Sequence, residues 1–293
     1  MIQDTTETTQ SVNLNEAEVD SQFFYPNTKA LFRLFFVLLF YMIVCAIFEA
    51  TLGVRDIHSP LLRSLLSLLT YIVSLLATII YAIRKCKKLE GPGFSISFNK
   101  TKIWVFPVVI ICSLALVVFL ERISAIIPMP KAVEKIFEMM FKKDFISIAH
   151  VVIAAPILEE ILCRGIILRG LLKNYSPIKA ILISAIFFGL VHLNPWQALP
   201  AFLGGIFLGW IYYKTRSVIP GIVIHATINL CATLFLFLPK KQQSFLSLLG
   251  MPYYILLCIV SLLIFSAGCI LIYKRFADSS DDRILQSLSS EGH

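Results

Sequence analysis

The feature that most restricts this chain is a series of long apolar runs, each roughly 17 to 25 residues, the length needed to cross about 30 Å of hydrocarbon at 1.5 Å per residue. Eight are read, at 34–52, 65–83, 103–120, 146–172, 178–193, 198–213, 219–238 and 253–273. Composition agrees: 58% of the residues are hydrophobic and only 15% charged, with a mean hydropathy of +0.82. A soluble domain carries about a quarter charged residues. Water cannot be the main solvent of such a chain. The expected fold is therefore all-α, a polytopic transmembrane helical bundle of about eight spans with the lipid bilayer as its partner.

The first run follows a polar leader that carries Asp4, Glu7, Glu16, Glu18 and Asp20. No cleavage-type small-residue site comes after that run, so it does not read as a removed signal peptide. The net charge of +8 would suit a nucleic-acid partner only if it were clustered on a soluble surface, and it is not. Basic residues gather instead at run ends: Arg84, Lys85, Lys87, Lys88, Lys100 and Lys102; Arg169, Lys173 and Lys179; Lys214 and Arg216; Lys274 and Arg275. With eight spans these lie on one side, which predicts both termini in the cytoplasm. The connection holding Arg122, Lys131, Lys135, Lys142 and Lys143 counts against this, although Glu121, Glu134, Glu138 and Asp144 accompany it. Seven cysteines show no C-x-x-C pair and read as small core residues, Cys163 included, rather than as disulfides or a structural zinc site.

Five parts are expected: the acidic cytoplasmic leader 1–30; N-terminal spans with an interfacial helix, 31–145; a chemically active core, 146–240; a last span, 241–276; and a polar, disordered tail, 277–293. The interfacial helix is read from Val133, Ile136, Phe137, Met140 and Phe141, which recur at helical spacing opposite Lys and Glu.

A charge at mid-membrane costs roughly 2.5 to 3.5 kcal/mol on insertion scales, so its presence needs a partner and usually has a role. The fourth run contains Glu159, Glu160 and Arg164. Glu160 and Arg164 are four apart and share a helix face, so they pair. Glu159 is rotated by about 100° and is left without a local counter-ion, free to accept a proton from water. The fifth run ends at His192, and the seventh carries His225 and Asn229 on one stripe. That stripe suits donors to an oxyanion, a metal site shared with Glu159 and His192, or pairing across helices. Two Glu, two His and an Asn on three runs are most economically explained by convergence on one site able to direct water at an amide.

The order E-E-x-x-x-R, F-x-x-x-H and H-x-x-x-N, each on its own apolar run, resembles the CPBP family of intramembrane proteases, the type II CAAX prenyl endopeptidase and Abi group. The residues that match are Glu159, Glu160 and Arg164; Phe188 and His192; His225 and Asn229. Gly165, the Gly204–Gly209 stretch and the Thr215-Arg216-Ser217 turn also look like the family, with Arg216 standing where members often have Gly. The resemblance covers about 151–230. It implies an endopeptidase in which Glu159, helped by His192, activates water, His225 and Asn229 stabilise the oxyanion, and Glu160 and Arg164 orient the site. The family is classed as metalloprotease although its site looks glutamate-based, so zinc on Glu159, His192 and His225 is left open. The implied substrate is a membrane-associated peptide, prenylated or bacteriocin-like. Two other readings stay open, a proton-coupled transporter and a non-catalytic immunity or scaffold protein.

Overall fold

Each expected run falls on a helix in the computed structural model, which describes residues 24–140 and 143–290. Helix α1 spans Thr28–Thr51, α2 Pro60–Glu90, α3 Val105–Ser124 and α4 Lys131–Met140. A continuous helical stretch over 145–174, called α5, joins Phe145–Ala149, His150–Ala154, Ala155–Glu160, Ile161–Leu168 and Arg169–Asn174. Then come α6 Pro177–Leu190, α7 Pro195–Thr215, α8 Ile219–Phe235, the short α9 Phe245–Leu249, and α10 Met251–Ser290. Among the described residues no strand forms; the backbone pairs only at an isolated bridge of Phe98 with Ser217.

The chain is a helical membrane bundle. Helices α1, α2, α3 and the Met251–Phe276 part of α10 are long and apolar enough to span, whereas the apolar α6 and α8 have 14 and 17 residues. The local sequence explains the boundaries. Asn27 and Asp144 accept backbone N–H bonds at the starts of α1 and α5, and Ser59-Pro60, Ser176-Pro177 and Asn194-Pro195 open α2, α6 and α7. Proline in the first turn needs no N–H there, and its fixed φ suits the helix. Helix α7 stops at Arg216, whose φ of 50° is left-handed, a conformation that glycine adopts at less cost than arginine.

The core lies where α5 meets its neighbours: Ile166, Ile167, Leu168 and Leu171 are fully buried, as are Ala180 on α6, Ile211 on α7 and Ile224 on α8. Helix α6 packs on α7, α3 on α8 and α10, and α1 on α2. Lipid takes the place of water outside: Phe32, Phe36 and Phe40 of α1 are exposed, with Ile255, Ile259, Leu262 and Leu263 of α10.

Two expectations need correction or restriction. The tail expected to be disordered from 277 continues α10 to Ser290, because no Pro or Gly interrupts the chain between Gly268 and that point. Most of the acidic leader lies outside the described residues, as does Phe141, and the expected apolar face rests further on the side chains of Ile136, Phe137 and Met140, of which only the helical backbone is described.

Helix α5 is wound as a π-helix over His150–Ala154 and again over Ile161–Leu168, on either side of the turn holding Glu159 and Glu160. The first π turn has a local cause. Ala155 N–H reaches back to the His150 carbonyl, and the next residue, Pro156, has no N–H to give. The Val151 carbonyl is thus left without a backbone donor, and the Asn229 side chain of α8 donates to it at 2.8 Å. Leaving a buried acceptor unmet costs about 1–3 kcal/mol. Asn229→Leu should therefore destabilise the protein by about that amount in thermal unfolding, and by clearly less in a Pro156→Ala background, where residue 156 regains a donor for Val151.

Candidate active site

Helices α5, α6, α7 and α8 meet around one buried guanidinium. Arg164 donates to Glu160 Oε1 at 2.7 Å, with both side chains fully buried. Its second terminal nitrogen donates to the Gly205 carbonyl of α7 at 3.1 Å. The guanidinium plane lies 4.5 Å from the centroid of the Phe188 ring of α6. The helical spacing anticipated the pair, and the other two partners show what desolvation demands: both terminal nitrogens and the cationic face find something polar or polarisable, and only Nε is left without a hydrogen-bond partner among the described residues.

Glu160 also faces α8. Its Oε1 lies 3.3 Å from His225 Nδ1. Its other oxygen rests against the bare backbone of Gly221, where an added Cβ would come within 2.7 Å. Gly221 sits one helical turn before His225, so the absence of a side chain lets the carboxylate approach the imidazole from that side.

Glu159 has different company. Its Oε1 accepts a bond of 2.6 Å from the Tyr71 hydroxyl of α2. Its Oε2 is buried, has no hydrogen-bond partner among the described residues, and lies 4.0 Å from His225 Nε2. Tyr71 in turn packs against the ring of His150, 4.3 Å between centroids, in the first π turn. One imidazole therefore faces both glutamates, Nδ1 toward Glu160 and Nε2 toward Glu159.

His192 joins the cluster through Phe188. Its Nδ1 bonds the Phe188 carbonyl at 2.8 Å, and its ring meets the edge of Phe188 at 5.3 Å, while His225 meets the same ring at 5.4 Å. Within this geometry it is His225, rather than His192, that reaches Glu159. His192 follows the end of α6, and the next residue, Leu193, has a left-handed φ of 56°. Asn229 is held on Val151 as described. Among the described residues no group of three His, Cys, Asp or Glu side chains is gathered closely enough to hold a metal ion. Glu159, His192 and His225 thus do not fit a zinc site as arranged here.

Residues 141–231 match the family described as Rce1-like, type II CAAX prenyl endopeptidase Rce1-like. The likeness is confined to that segment, less than half of the chain. Among curated proteins, the UPF0177 protein YxdF of Lactococcus lactis subsp. lactis is 34% identical over 79 residues, 27% of this chain. The aligned part spans 43% of that relative's length. No solved structure matches the chain. The matched segment supplies Glu159, Glu160, Arg164, Phe188, His192, His225 and Asn229, whereas Tyr71 comes from outside it.

Tyr71 and His150 escaped the reading of the sequence. Tyr71 was visible as one of several hydroxyls in Ser67–Ser74 of an otherwise apolar run, but nothing in that run points to a carboxylate 88 residues away. Gly221 is a testable part of the site. Gly221→Ala forces its methyl against a carboxylate already pinned by Arg164 and His225, and should cost about 1–3 kcal/mol in thermal unfolding. A melting curve unchanged from wild type would contradict the packing described.

Proposed function

We propose that the chain is an intramembrane endopeptidase that hydrolyses a peptide bond of a membrane-associated substrate, prenylated or bacteriocin-like. The observation that carries this is the asymmetry of the two glutamates. Glu160 is matched by Arg164, whereas Glu159 has one oxygen oriented by Tyr71 and the other facing His225 Nε2 across 4.0 Å. A polar gap of that width suits one bridging water.

With Nδ1–H directed at Glu160, neutral His225 offers the Nε2 lone pair. A water donating one hydrogen to Nε2 and the other to Glu159 Oε2 would turn its own lone pair outward, toward a scissile carbonyl. Glu159 then takes a proton as the water oxygen bonds to the carbonyl carbon. The tetrahedral species collapses with rupture of the C–N bond, and the proton on Glu159 passes to the leaving nitrogen, giving an acid and an amine. The geometry favours His225 as the partner of Glu159. His192, when protonated, and the second amide hydrogen of Asn229 remain to meet the carbonyl oxygen. No step uses a metal ion.

Tyr71 extends the reading in one respect: the active core proposed for 146–240 takes in a residue from the 31–145 part. Its hydroxyl fixes which oxygen of Glu159 faces His225. The basic residues at alternate helix ends support both termini lying in the cytoplasm.

The test is cleavage of membrane-peptide libraries by the purified full-length chain in proteoliposomes. Glu159→Gln should lower turnover about 10²–10⁴-fold while the protein still folds. Full activity in that variant would rule out the proposed base, whereas no cleavage of any library peptide by the wild type would favour a non-catalytic or transport role. Tyr71→Phe should leave thermal unfolding near wild type and reduce turnover about 10–100-fold, the worth of one hydrogen bond to a charged group. Wild-type turnover in Tyr71→Phe would show that the hydroxyl does not position Glu159.

A further inference from the structure

Away from the glutamate cluster, the first turns of α1 and the last turns of α2 enclose a cavity of about 310 Å³ lined by Tyr25, Asn27, Lys29, Arg33, Tyr81 and Lys85, with Ala30 and Leu89. Three of those side chains are cationic and none is acidic. The carboxylate next along α2, Glu90, is already matched by Arg169 at 3.0 Å and Lys173 at 2.7 Å, so it does not neutralise them. Lys85 lies 5.6 Å from the centroid of the Tyr81 ring, and neither Lys29 nor Arg33 forms an ion pair among the described residues. The positive end of the α1 dipole points into the same region. Such a cavity calls for an anion.

The surroundings say what kind. At 100° per residue, Lys29, Arg33, Phe36 and Phe40 fall within an arc of about 60° on α1. Phe36 and Phe40 are 51% and 61% exposed. One stripe of the helix therefore changes from cationic at its end to bare aromatic surface about 10 Å deeper, counting 1.5 Å per residue from Arg33 to Phe40. A ligand that satisfies both parts is an amphiphile with an anionic head and apolar tails. Lys and Arg near a membrane surface attract anionic lipid, and a cavity with two tyrosines adds shape to that attraction.

We propose that this cavity binds the phosphate headgroup of an anionic phospholipid, whose acyl chains lie along Phe36 and Phe40. The site is independent of the hydrolytic reading, and it joins α1 to α2, the helix that carries Tyr71.

The test uses the purified full-length chain in detergent, mixed with phosphatidylglycerol, with phosphatidylcholine, or with phosphatidylglycerol plus millimolar inorganic phosphate, with retained lipid counted by native mass spectrometry. Wild type should retain phosphatidylglycerol in preference to phosphatidylcholine, and inorganic phosphate should not displace it. The triple variant K29Q/R33Q/K85Q should lose about tenfold or more of that retention, while K87Q/K88Q/K100Q, with the same change of charge outside the cavity, should stay within about twofold of wild type. Equal loss in both triple variants would reduce the effect to diffuse surface charge and overturn the proposal. Equal retention of phosphatidylcholine, or displacement by inorganic phosphate, would overturn it as well, the latter by making the cavity a site for a soluble anion. Thermal unfolding of each variant separates loss of lipid from loss of fold.

Discussion

The bundle is organised around the ion pair of Glu160 and Arg164. A charge in hydrocarbon persists only if it is matched, and removing one member of a buried pair costs about 3–5 kcal/mol because the other is stranded. Here the matching recruits four helices. Arg164 holds Glu160 on its own helix and the Gly205 carbonyl on α7, and stacks on Phe188 of α6. Glu160 meets His225 and the bare backbone of Gly221 on α8. Satisfying one guanidinium therefore sets where α6, α7 and α8 stand around α5, and hence where every other polar side chain of the cluster sits.

Because Arg164 is committed to Glu160, Glu159 is left to other partners, and the two carboxylates differ although they are neighbours in the chain. Tyr71 orients one oxygen of Glu159, and the other faces His225. The π turns contribute on either side. Over 150–154 the helix opens at Pro156 and presents the Val151 carbonyl to Asn229, which ties α8 to α5 two turns from the glutamates. A residue that looks like an oxyanion donor thus also has a structural duty, set by a proline on another helix.

The parts of this arrangement that depend on periodicity were legible in the sequence. Long apolar runs gave the helices, since hydropathy reports burial in lipid directly, and i,i+4 spacing gave the Glu160–Arg164 pair and the separate direction of Glu159. What depends on contact between distant helices was not legible. Tyr71 meets Glu159 across 88 residues, and Gly221 matters only because a carboxylate from α5 comes to rest on it. The histidines show the same limit. Their spacing marked both as site residues, yet only the packing of α6 reveals that Phe188, a turn before His192, meets His225, and that His192 stands behind that ring. Pro156 was in plain view, but its effect is a change of helical winding, which side-chain patterns do not report.

If the ion pair is what arranges the site, replacing both of its members with apolar side chains should separate fold from chemistry. The most direct measurement is therefore a double-mutant cycle on thermal unfolding, with peptide cleavage followed in parallel, for Glu160→Met, Arg164→Met and the two combined. The account expects each single variant to lose about 3–5 kcal/mol, the double variant to regain much of it through apolar packing, and cleavage to be absent in the double variant because His225 and Glu159 lose their bearings. Additive losses with no coupling between the two positions, or a double variant that cleaves like wild type, would contradict it.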